Sequence, residues 1–136
     1  MVKEIELKFR IESYREFILK LLKAGALFEN SKYEVTIMYD ENNKLFEKDA
    51  RLRLRKKFDV FTNEEEAEIS YKKPLTREGI KIEEEYETKV ENFKEIEEIL
   101  TNIGFKKVSS YERVRDTYRF EEIKITVDSF SFGDYV

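Results

Sequence analysis

The feature that most constrains this chain is a two-residue alternation of apolar and charged side chains along most of its length. Successive side chains on a strand point to opposite sides, so such alternation marks strands with two unlike faces. It predicts strands near 2–11, 33–40, 50–58, 66–73, 80–90, 106–118 and 122–128. In the first, Ile5, Leu7 and Phe9 share one face and Glu4, Glu6 and Lys8 the other. Leu52 and Leu54 oppose Arg51, Arg53, Arg55 and Lys57, and Ile69 and Tyr71 oppose Glu68, Ser70 and Lys72. Ile82, Tyr86 and Val90 oppose Glu83, Glu85, Glu87 and Lys89, with Glu84 out of place on the apolar side. Further on, Arg113 and Arg115 flank Val114, and Lys124 and Asp128 alternate with Ile125 and Val127.

Two segments break the alternation and read as helices. Residues 13–25 open with Ser13 as N-cap and Glu16 three later, carry Phe17, Ile18, Leu21 and Leu22 on one stripe, and stop at Gly25. Residues 92–103 repeat the logic with Asn92 as cap, Ile96, Ile99, Leu100 and Ile103 as stripe, and Gly104 as stop. The single proline, Pro74, falls in a stretch that reads as a turn between two strands. With no linker or repeat, residues 1–136 form one domain. Strand, helix, four strands, helix and strands make an α+β fold: a strongly curled antiparallel sheet with the helices packed outside.

Composition narrows the chemistry. Without Cys or His, thiol nucleophiles, disulfides, His-ligated zinc and imidazole bases are excluded, and a cytoplasmic location is the default. No stretch is apolar for long enough to span a bilayer, and Met1-Val2-Lys3-Glu4 opens no hydrophobic leader. A net charge of −4 gives no sign of a nucleic-acid binder. What remains is carboxylates, Lys, Arg, hydroxyls and a hard, oxygen-seeking cation such as Mg²⁺ or Mn²⁺.

Charged residues make up 41% of the chain, so their placement has to decide. A solvated face of a one-sided sheet accounts for alternation by itself. It does not account for segregation by sign, with Arg51, Arg53 and Arg55 on one strand and Glu83, Glu85 and Glu87 on another. Like charges side by side are destabilising, and curling the sheet would bring the two sets around one cavity. A triphosphate tail suits such a cavity. Arg forks and Lys charges grip phosphate oxygens, while carboxylates hold a divalent cation that bridges to them.

Glu4-Ile5-Glu6-Leu7-Lys8 resembles the ExExK signature of the CYTH superfamily, the triphosphate tunnel metalloenzymes. Further matches follow in the family's order: Tyr39-Asp40, Leu52-Arg53-Leu54-Arg55, Ser70-Tyr71-Lys72-Lys73-Pro74, Glu85-Tyr86-Glu87, Gly104-Phe105, Arg113-Val114-Arg115 with Tyr118, and Val127-Asp128 with Gly133. The resemblance implies a tunnel barrel of about eight antiparallel strands. It implies Glu4, Glu6, Glu85, Glu87 and Asp128 as metal ligands. Lys8, Arg53, Arg55, Lys72, Arg113 and Arg115 become phosphate-binding cations, the first four carrying the catalysis. Arg51, one step outside the motif, reads as a rim residue.

The family's later Glu-x-Glu strand has no counterpart before Val136, so the tunnel reads as incomplete. The chain is naturally short, or cut or misread, or a second subunit completes the wall. An unpaired last edge gives homodimerisation a physical motive. The expected substrate is a small triphosphate: tripolyphosphate, ATP or thiamine triphosphate. Hydrolysis is favoured over cyclisation of ATP, because no nucleoside pocket is legible. A class IV adenylyl cyclase and a non-catalytic polyphosphate-binding module are the alternatives.

Overall fold

The computed structural model describes residues 8–77, 80–131 and 133–136. Both helices start at the caps the sequence marks. In α1 (Tyr14–Lys23), Ser13 is extended and its Oγ accepts from the Glu16 N–H at 3.3 Å. In α2 (Phe93–Asn102), the Asn92 Oδ1 accepts from the Glu95 N–H at 3.0 Å. Each cap satisfies a backbone donor that the first helical turn leaves without a partner. Gly104, at φ +107°, turns the chain out of α2 in a left-handed conformation that a side chain would strain.

The strands are β1 (Arg10–Ile11), β2 (Leu27–Asp40), β3 (Arg51–Asp59), β4 (Glu65–Arg77), β5 (Ile80–Val90), β6 (Lys106–Phe120), β7 (Ile123–Phe130) and β8 (Gly133–Tyr135). They form one eight-stranded antiparallel sheet in the order β1-β8-β7-β6-β2-β3-β4-β5. The fold is therefore α+β, as the pattern predicts.

Details differ from expectation. β2 begins at Leu27, well before residue 33. The stretch around Pro74 is strand rather than turn: Pro74 sits opposite Glu83, and pairing continues to Arg77 opposite Ile80. The fixed φ of proline is compatible with an extended strand, which loses only the one N–H. β8, three residues long, is too short to show alternation. Of the first expected strand, residues 1–7 lie outside those described. Phe9 exchanges two backbone hydrogen bonds of 2.8 Å with Val136, and Arg10 pairs with Tyr135.

By contact the chain divides into two units, each with its own helix and core. The first holds Val35–Lys56 and Glu66–Tyr111. Its core is Ile37, Tyr39, Leu54 and Leu100, with Phe93 and Ile96 of α2 packed against it. Leu54 is wholly buried, a burial that contributes about 1.5–3 kcal/mol. The second unit holds Leu7–Glu34, Lys57–Glu65 and Glu112–Val136. Ala26, Tyr118 and Val127 form its core beneath Phe17, Ile18 and Leu21 of α1. The buried stripes are narrower than the sequence suggests, since Leu22, Ile99 and Ile103 are exposed.

Polar groups lock both units. In the second, Tyr14 of α1 donates to the buried Asp116 of β6. Burial foremost, then the bond to and charge of Asp116, push the Tyr14 phenol well above its ordinary range. In the first, Asp40 ends β2 and accepts from the N–H groups of Glu41, Leu45 and Phe46. Burial works to raise the Asp40 carboxyl; the three donors outweigh it and hold it below the usual value.

Candidate functional site

In the first unit β3, β4 and β5 are consecutive in the sheet, and their charged faces meet. The β4–β5 register sets Lys72 opposite Glu85 and Ser70 opposite Glu87. Lys72 Nζ lies 3.2 Å from Glu85 Oε2. Arg51 and Arg53 reach across β4: Arg51 Nη2 sits 3.0 Å from Glu83, and Arg53 Nη2 sits 3.5 Å from Glu87 and 3.8 Å from Glu68. Glu84, misplaced by alternation, is paired with Lys73 directly opposite at 3.3 Å.

Arg51, Arg53, Lys72, Ser70, Met38 and Tyr111 line a pocket of about 160 Å³. Three cations thus border one cavity, each matched to a carboxylate. Arg51, read as a rim residue, is half exposed and part of that lining. The Arg53 Nε is buried and has no hydrogen-bond acceptor among the described residues, a donor that an anion would satisfy. Arg55 is placed differently. It is buried, donates from Nε to Thr36 Oγ1 at 2.8 Å and from Nη2 to Tyr111 Oη at 2.9 Å, and does not line the pocket.

The carboxylates beside the pocket are electrostatically tense. Burial, then the charge of Glu68 and a hydrogen bond shared with it, then the charge of Glu85, raise the Glu87 carboxyl; Arg53 acts against them. Glu85 Oε2 is buried and, although close to Lys72, makes no aligned hydrogen bond.

In the second unit the predicted residues form a chain of ion pairs. Arg115 grips Asp128 with Nε at 2.6 Å and Nη2 at 2.7 Å. Arg113 reaches the same carboxylate at 3.4 Å and Glu34 at 2.7 Å. Glu34 was missed by sequence reasoning, though β2 carries the signal. Glu34, Thr36 and Met38 alternate with Val35, Ile37 and Tyr39, so they share the opposite face of the strand. Lys8 belongs to this unit and is exposed. Glu4 and Glu6 lie outside the described residues.

A divalent cation can be tested against the donor set. Among the described residues no group of three or more Asp, Glu, His or Cys is disposed to hold one. Glu85 and Glu87 do face the same side of β5, with Glu68 beside Glu87. One or two carboxylates completed by water and phosphate oxygens is how Mg²⁺ is commonly held, so these residues fit such an ion. Asp128 has both oxygens engaged by guanidinium groups.

Known proteins resemble this chain in sequence and fold. A protein of Methanocaldococcus jannaschii named "Putative adenylate cyclase MJ0240" is 29% identical over 126 residues, covering 92% of this chain and 69% of that protein. The PH1819 protein of Pyrococcus horikoshii superposes with a TM-score of 0.82 at 25% identity, over 98% of this chain and 73% of its own. HpAC1 from Hippeastrum, named as a putative adenylyl cyclase that reveals a dominant triphosphatase activity, has the same fold. Its TM-score is 0.69 at 17% identity, over 94% of this chain and 74% of that one. The model of the CYTH domain matches from residue 2 to residue 135. That match spans nearly the whole chain, and the chain belongs to the CYTH domain family.

Proposed function

We propose that this protein binds the phosphate tail of a small triphosphate together with a divalent cation and hydrolyses it. The observation that carries this reading is the pocket of about 160 Å³ bordered by Arg51, Arg53 and Lys72. Family membership supports it, since members act as adenylyl cyclases or triphosphatases.

In this reading Arg53 and Lys72 hold the tail oxygens, and the orphaned Arg53 Nε gains its acceptor. Charge spreading over the transferred phosphoryl group is countered by these cations once they have exchanged their carboxylate partners for phosphate oxygens. The carboxylates that release those cations, Glu85 and Glu87, become available to hold the metal; the family resemblance also makes Glu4, Glu6 and Asp128 candidate metal ligands. Lys8, Arg113 and Arg115 are further phosphate-binding candidates on the same ground. A bound divalent cation supplies charge neutralisation at the phosphate oxygens. A water oxygen then bonds to the terminal phosphorus and the bond to the bridging oxygen breaks. Orthophosphate and the shortened tail leave, with a proton released.

The name of the Methanocaldococcus relative favours a second reading, cyclisation of ATP to cyclic AMP with loss of pyrophosphate. One assay separates them. Purified protein is incubated with tripolyphosphate, ATP or thiamine triphosphate and Mg²⁺ or Mn²⁺, and orthophosphate, pyrophosphate and cyclic AMP are resolved. Orthophosphate release from tripolyphosphate is expected; cyclic AMP with pyrophosphate would establish the second reading. Absence of any product, with equal thermal shifts from tripolyphosphate and orthophosphate, would refute both.

A further inference from the structure

β2 and β3 are neighbours in the sheet, and the connection between them, residues 41–50, starts and ends beside the pocket within one unit. Met38, near the end of β2, and Arg51, the first residue of β3, both line the cavity. Asp40 shares the strand face of Met38 by alternation, and its carboxylate fixes the connection. Oδ1 accepts from the N–H groups of Glu41 and Leu45 at 2.6 and 3.0 Å, and Oδ2 from that of Phe46 at 3.0 Å. The Leu45 carbonyl accepts from the Ala50 N–H at 2.9 Å, so the residue before Phe46 is tied to the residue before Arg51. Asn42, Asn43 and Asp49 take left-handed conformations, with φ of 50, 58 and 55°, that these residue types tolerate. On this frame the Phe46 side chain is 77% exposed, more than any other large apolar residue among those described. We propose that Phe46 is a stacking platform for the planar ring of an organic triphosphate whose tail occupies the pocket.

Single apolar residues on a surface are ordinary. Phe46 differs in being held by backbone hydrogen bonds next to a charged cavity. The charges around it also favour the uncharged end of a ligand. Glu41, Glu47 and Asp49 outnumber Lys44 and Lys48 in the connection, so it does not compete with Arg51, Arg53 and Lys72 for phosphate. A phenyl face and a heteroaromatic ring stack without hydrogen bonds, so the contact selects for a ring and not for one particular ring. The substrate class is then a triphosphate carrying a heteroaromatic ring, in preference to inorganic tripolyphosphate. The inference rests on the reading of the pocket as a polyphosphate site.

Titration calorimetry with Mg²⁺ present tests it on the full chain, with ATP and tripolyphosphate as ligands. The proteins are the parent, Phe46→Ala, Phe46→Tyr and, as a control on the pocket, Lys72→Met. Phe46→Ala should weaken the ATP dissociation constant about tenfold, the loss of one stacked ring, and leave that for tripolyphosphate within about twofold of the parent. Phe46→Tyr keeps the ring face and should restore ATP binding. The chain has no tryptophan, so Phe46→Trp sets a single indole at the platform, and ATP should quench its fluorescence far more than tripolyphosphate does. ATP binding by Phe46→Ala within about twofold of the parent, or equal losses for the two ligands, overturns the platform. Indole fluorescence indifferent to ATP overturns it as well. If neither ligand binds the parent more tightly than orthophosphate does, and Lys72→Met matches the parent, the reading of the pocket falls and this inference with it.

Discussion

Replacing Arg113 by methionine tests how the second unit is held together. The Arg113 side chain is 6% exposed, and those of its partners Glu34 and Asp128 are 3% exposed each. Methionine preserves much of the aliphatic stem and removes the charge. Asp128 keeps Arg115 through contacts of 2.6 and 2.7 Å, so the loss falls chiefly on Glu34. Removing one partner of a buried ion pair costs about 3–5 kcal/mol, because a desolvated charge is left behind. For a chain of 136 residues the unfolding entropy at the midpoint is about 0.3 kcal/mol per degree, so the melting temperature should fall by roughly 10–17 °C. Adding Glu34→Met should recover most of that loss, since replacing both partners of a buried pair by apolar groups is often near neutral. Thermal and urea denaturation followed by circular dichroism, at low and high salt, measure both effects; burial should make them nearly salt-independent. A loss below about 1 kcal/mol, or a double variant as unstable as the sum of the singles, would refute the reasoning.

Two other perturbations address the remaining locks. Tyr14→Phe deprives the buried Asp116 of a donor and should cost about 1–3 kcal/mol by denaturant titration; an unchanged midpoint would show that Asp116 finds another partner. Glu87 has a raised folded-state pKa, so it favours the fold fully only below its unfolded pKa and loses that contribution as pH rises through the folded value. Glu87→Gln should therefore raise the melting temperature near pH 7, with the gain shrinking as pH falls below the unfolded carboxylate range and Glu87 becomes protonated in both states. The same variant should weaken Mn²⁺ binding by calorimetry. A gain that persists at acid pH would contradict the electrostatic account.

Much of the fold was legible because its signals are local. Ser13 and Asn92 announce their helices, and the alternation around Leu52, Leu54, Ile69 and Tyr71 marks both strands and their inner face. Pro74 misled because proline is read by its missing N–H, whereas an extended strand tolerates its φ. Leu22, Ile99 and Ile103 fit the helical stripes, but whether an apolar residue is covered depends on how far the neighbouring sheet extends. The candidate site was legible as a set of residue types and only partly as geometry. Alternation places Arg51, Arg53 and Arg55 on one face, yet depth along that face is set by neighbours distant in sequence. Tyr111 and Thr36 draw Arg55 away from the pocket lining, while Arg51 joins it. Glu34 lacks the run of like charge that marks other strands: its neighbours on the same face of β2, Lys32 and Thr36, form no such run with it.

The pairing of Arg51 with Glu83, of Arg53 with Glu87 and Glu68, and of Lys72 with Glu85 also bears on how fast a ligand can arrive. Opposite charges about 3–4 Å apart cancel beyond a few ångströms, so this pocket casts little attractive field into solution, and the whole chain at −4 casts a repulsive one. A polyanion approaching it is not drawn in from a distance as it would be by a bare basic cleft. Its association rate should fall well short of the electrostatically steered range and respond weakly to salt. The dissociation rate, governed by contacts formed only after the carboxylates have let go, then sets how long the tail stays.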